Sequence, residues 1–227
     1  MFPQPIAQEP GRDKISAQMR TIILNIPSLY QRNSIGIKLE QAESIGIKML
    51  EKIAATESQL KTLRSNLEKQ QTPQILTIQK NLIEMISTKF IELNNLVLTL
   101  KTTLENIKLF ISLLINEMAH LLDLATQTTK RQAVIMIIQI QDRLINAKGE
   151  LTTLSKNLNI IEQYADKLAR NKNQNYAINI EQECRTDTIF GSLGIIKVGL
   201  ENAFKSESLT RRLNQTRAET NTILNMV

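Results

Sequence analysis

Tryptophan is absent from this 227-residue chain, and histidine and cysteine occur once each, as His120 and Cys184. A single thiol excludes an intrachain disulfide, and a reducing compartment is the simple expectation. Glycine is limited to 7 residues, proline to 5 and aromatics to 4% of the chain. A many-stranded sandwich or barrel needs turn formers every ten residues or so, and this chain cannot supply them. Long apolar runs are missing too. The most apolar stretch, Leu109 to Ile115, is bounded by Lys108 and Glu117, well short of the ~20 residues that span a bilayer. The opening MFPQPIAQEPGRDK lacks a basic segment followed by an apolar one, so no secretory leader is expected. The phosphate-cradling patterns G-x-x-x-x-G-K and G-x-G-x-x-G do not occur.

Charge of one sign is not gathered anywhere. The formal net charge is +6, yet residues 1–125 hold 14 basic and 12 acidic side chains and residues 126–227 hold 14 and 10. Interleaving of this kind suits solvated helix surfaces. The basic groups Lys130 with Arg131, Lys167 with Arg170 and Lys172, and Arg211 with Arg212 and Arg217 have no aromatics among them for base stacking, which argues against a nucleic-acid surface. The chain reads as soluble and cytoplasmic.

What is present is aliphatic periodicity. Residues 1–12 carry Pro3, Pro5, Pro10 and Gly11 and read as a disordered arm. A short helix follows, capped by Asp13, apolar at Ile15, Met19, Ile22 and Ile26, and stopped by Pro27. From Asn33, the positions Ile35, Leu39, Ala42, Gly46, Met49, Ile53, Thr56, Leu60, Leu63 and Leu67 step by four and three. This heptad seam predicts a helix of about 36 residues with coiled-coil packing. The pentapeptide Ser-Ile-Gly-Ile-Lys occurs twice, ten residues apart. At about 100° per residue the copies are turned roughly 80° from each other, so they do not form a repeated binding site. Gly46 sits in the seam at a cost of about 1 kcal/mol in helix propensity, which points to close approach by another helix.

Thr72 and Pro73 read as the cap and first position of a second long helix through Ala125, and a third runs from Arg131 to Arg170 after a turn in ATQTTKRQ. Glu57 with Lys61 and Asp166 with Arg170 are acid-to-base pairs four residues apart. Together these features predict an all-α, elongated antiparallel bundle over residues 13–170, a polar linker at 171–175 and a C-terminal helical interaction region at 176–227. Three of the seven glycines fall in IFGSLGIIKVGLENAF, and a last helix starts at Ser206 or Ser208. The residues expected to meet a partner protein are Gly191, Leu193, Gly194, Ile196, Gly199, Leu200 and Phe204, on a face where small residues permit tight helix packing.

The one constellation with catalytic spacing is Glu117, His120 and Asp123. A bundle di-iron site uses Glu-x-x-His twice, and the single histidine forbids that. Cys184 has only Arg185 nearby to activate it. No catalytic residue, cofactor, metal site or small-molecule substrate is therefore expected. Two readings remain: a non-enzymatic helical adaptor or scaffold docking other protein subunits, and a membrane-active protein inserting residues 189–204.

In size, in its Asn-, Gln-, Ile- and Lys-rich composition, and in its nearly unbroken helical pattern, the chain resembles bacterial DotY-like accessory subunits of the Dot/Icm type IV secretion coupling complex. The resemblance implies a soluble cytoplasmic subunit beside the coupling ATPase, helping to place the chaperones that receive effector proteins.

Overall fold

A computed structural model of the chain describes residues 10–69, 72–128, 130–170, 186–206 and 208–227. Among these residues there is helix and no strand, and the helices pack as an all-α bundle. They are α1 (Pro10–Arg32), α2 (Ile35–Leu67), α3 (Pro73–Thr126), α4 (Arg131–Arg170), α5 (Thr186–Glu201), a π-helical turn (Asn202–Ser206) and α6 (Leu209–Leu224).

The long helices begin and end where the periodicity places them. Thr72 Oγ1 accepts from the backbone N–H of Ile75 at 3.3 Å, so the cap before Pro73 forms. The α3–α4 turn is closed by the N–H groups of Gln127 and Thr128, donating to Leu124 and Ala125 carbonyls.

Two expectations about the N-terminal helix are overturned. Pro10, Gly11 and Arg12 are the first residues of α1 and not part of an arm, while residues 1–9 lie outside the described residues. Pro27 does not stop the helix either. It lies inside α1, which continues to Arg32. Proline removes one backbone donor, that of residue 27 itself, whereas Met19, Ile23 and Ile26 are buried on the inner face before it. Tyr30, one turn beyond, is anchored by donating its hydroxyl to the Leu213 carbonyl at 2.9 Å. The break falls at Ser34, whose φ of 50° is left-handed. The Asn33 side chain donates to the Leu29 carbonyl at 2.9 Å and closes the end of α1.

The packing divides the chain into two units that interleave along the sequence. The first takes Met1–Leu39, Ile107–Gly149 and Leu209–Val227; the second takes Glu40–Asn106 and Glu150–Ser208. Residues 186–227 are therefore shared between the units, and the linker predicted at 171–175 falls outside the described residues.

In the first unit α1, the later half of α3, the earlier half of α4 and α6 bury Met19, Ile23, Phe110, Leu114, Met118, Ile137, Leu144 and Leu213. Tyr30 packs edge-on against Phe110, with centroids 4.8 Å apart and planes at 78°, and Arg217 lies 5.9 Å over its ring. Arg143 forks onto both carboxylate oxygens of Glu219 at 2.7 and 3.2 Å. Lys130 donates to the carbonyl of Val227 at 3.2 Å.

The second unit joins most of α2, the earlier half of α3, the later half of α4 and α5 around Ile53, Leu60, Ile86, Phe90, Leu158, Ile161, Leu193 and Leu200. Lys101 donates to Asn159 at 2.7 Å and to Glu162 at 2.9 Å, fixing α3 to α4. Lys52 pairs with Glu92 and holds that carboxyl below its ordinary range.

Candidate interaction surface

The second unit seats α5 against α2 in an antiparallel sense. Contacts pair Gly46 with Phe204, Glu57 with Lys197 (3.9 Å) and Arg64 with Asp187 (2.9 Å), so position falls along one helix as it rises along the other. Glu57 thus reaches across to Lys197 of another helix. A Cβ at Gly46 would lie 2.3 Å from Cδ2 of Phe204; the seam glycine exists because that ring occupies the space. The π-helical turn delivers Phe204 there. A wider turn after Glu201 brings Ala203 and Phe204 inward together, both buried.

At about 100° per residue, α5 separates into two faces. Ile189, Leu193, Ile196 and Leu200 are buried, and Phe204 continues this inner face through the π-helical turn. Gly191, Ile195 and Val198 lie opposite, exposed, with the half-exposed Gly194 among them. Ile195 is 55% exposed and Val198 56%. The expected partner face is corrected accordingly: Leu193, Ile196, Leu200 and Phe204 are spent on the interior of the unit, because an amphipathic helix in a bundle turns its larger apolar stripe inward. Gly199 also serves the interior, its Cβ position lying 3.2 Å from Leu154 Cδ1 of α4. Of the glycines in this set, Gly191 and Gly194 have open space where a side chain would project. Sequence reasoning missed Ile195 and Val198. The signal was present, since both fall within about 100° of arc of Gly191 and Gly194, opposite Leu193.

Beside this face runs a groove of about 340 Å³ between α4 and α5. Glu150, Thr153, Leu154 and Asn157 form one wall, and Ile195, Val198, Gly199 and Asn202 form the other. It offers an apolar floor with amide, hydroxyl and carboxylate groups on the rim.

The spacing that resembled catalytic hardware lies in the first unit. His120 and Asp123, both exposed, line a second groove of about 480 Å³ with Gln18, Thr21, Ile22 and Leu124. Glu117 is half-buried and is not among the groove residues. Among the described residues no three His, Cys, Asp or Glu side chains come together as metal ligands. Cys184 lies outside the described residues. By length and composition α3 contains an 18-residue stretch, mean hydropathy 1.4, apolar enough to cross a membrane, with a third of it (33%) buried in the protein. The expectation drawn from Leu109–Ile115 alone missed this longer stretch because isolated polar residues interrupt it.

No protein-family model, curated protein or solved structure matches this chain.

Proposed function

We propose that the protein is a non-enzymatic helical adaptor that docks another protein on the outer face of α5 and its neighbouring groove. The observation that carries this reading is the exposure of Ile195 and Val198 beside Gly191 and Gly194, which leave room for a second backbone. Apolar knobs with adjacent glycine gaps suit a helix laid into a groove. The finer reading, a cytoplasmic bacterial subunit of a type IV secretion coupling complex that helps recruit effectors, rests on the resemblance in composition and helical pattern. The alternative, insertion of residues 189–204 into a bilayer, requires Leu193, Ile196, Leu200 and Phe204 to leave the interior they now fill.

Affinity purification from native cells, comparing wild type with Gly194→Leu and Val198→Glu, tests the adaptor reading. Both variants are expected to lose partner recovery at least about tenfold, the equivalent of 1.4 kcal/mol, with unchanged helix content by circular dichroism. Unaffected recovery together with abolished liposome leakage overturns the adaptor and installs the membrane-active reading.

A further inference from the structure

The two units serve their buried polar groups differently. In the first, the described buried polar residues are Thr216 and Thr220, and both hydroxyls donate to backbone carbonyls, of Arg212 at 3.0 Å and of Arg217 at 2.8 Å. The second buries Thr56, Gln79, Ser87, Thr103 and Ser155. Thr56 and Thr103 donate to the Lys52 and Thr99 carbonyls, and Gln79 reaches the Asn66 carbonyl at a long 3.4 Å. Four oxygens of this unit are enclosed without a hydrogen-bond partner: Ser87 Oγ, Ser155 Oγ, Gln59 Oε1 and Asn94 Oδ1. The first unit encloses two such atoms, Nε and Nη2 of Arg212, on a side chain that does have a partner through another atom.

An enclosed, unserved oxygen loses its hydration and gains nothing in return, which lowers the ratio of closed to open forms by a factor of about five to about one hundred and fifty per group. Helices that part slightly return these oxygens to water. Polar pairs satisfied only on closing occur in both units, the Arg143–Glu219 fork and the Tyr30 hydroxyl bond in the first and Lys101–Glu162 in the second, so the difference between them lies in the enclosed oxygens.

We infer that the second unit opens locally while the first stays closed, transiently uncovering the apolar interior around Ile53, Leu60, Ile86 and Phe90. Opening is a sub-global event confined to one set of packed helices.

Hydrogen-exchange mass spectrometry on the full chain tests this. Amides in 40–67, 73–106 and 150–168 are expected to exchange at least about tenfold faster than those in 107–126, 131–149 and 209–224, after correction for intrinsic rates. The double variant Ser87→Ala, Ser155→Ala removes two orphaned hydroxyls at the loss of one heavy atom each. It is expected to slow exchange in the second unit at least about fivefold, with the first unit unchanged. Asn94→Leu provides an independent check of the same direction. Equal protection of the two units, faster exchange in the first, or second-unit exchange that does not slow in these variants overturns the inference.

Discussion

A methyl group at Gly46 would sit 2.3 Å from Cδ2 and 2.7 Å from Cε2 of Phe204, so the ring and the main chain of α2 are in direct contact. Alanine gains up to about 1 kcal/mol of helix propensity over glycine, but displacing a buried ring costs about 1–3 kcal/mol. The second term wins because the atoms met lie on the ring close to its stem. Gly46→Ala is therefore expected to lower the urea midpoint, and Phe204→Leu to relieve much of that loss in the double variant. A Gly46→Ala protein more stable than wild type would show that the ring has somewhere else to go. At Tyr30 burial decides, raising the hydroxyl pKa above the ordinary 10.0 against the opposing pull of Arg217. The sign follows: stability from the protonated phenol is complete below pH 10 and is lost as pH rises beyond it, because only the unfolded tyrosine ionises readily there. Tyr30→Phe is expected to cost about 0.5–1.5 kcal/mol at neutral pH through the lost bond to Leu213. It should also flatten the alkaline fall in stability, measured by denaturant unfolding between pH 9 and 11. An unchanged alkaline slope would assign that fall to other groups.

Among the elements, α3 and α4 were legible because Thr72-Pro73, an aliphatic seam and a Gly-free but helix-poor turn all agree. α1 was legible only in part. Local chemistry makes Pro27 a stop, and only the burial of Ile23 and Ile26 together with the distant acceptor at Leu213 reverses that preference; no window around residue 27 contains Leu213. The faces of α5 were half readable for a similar reason: periodicity separates Leu193 from Ile195, but which side turns inward depends on α2 and Gly46. Pro27→Ala restores one backbone donor in the middle of α1 and is expected to raise stability by about 1–3 kcal/mol. A drop in the urea midpoint would mean that the proline sets the direction in which Tyr30 reaches α6.

For the molecule as a whole, composition was a sufficient guide to class, since so few glycines, prolines and aromatics leave little besides helix packing to build a core. The division into units was not legible. It follows from long-range pairings such as Arg143–Glu219 and Arg64–Asp187, and heptad spacing is the same on either side of the boundary. Removing α6 takes away Glu219, Thr216 and the acceptor at Leu213, so the truncated chain is expected to lose the first unit's cooperative unfolding while retaining helical signal from the second. A single transition shared by intact and truncated chains would contradict two separately packed units.

Each unit draws on sequence from both sides of the stretch between Arg170 and Thr186. Severing the backbone there would therefore separate no unit from the other; it would yield two fragments, each carrying part of both cores. Expressed as two separate polypeptides that meet within this stretch and together keep every residue, the halves should find each other and restore both packings without a covalent link, which makes the protein a natural candidate for a split reporter.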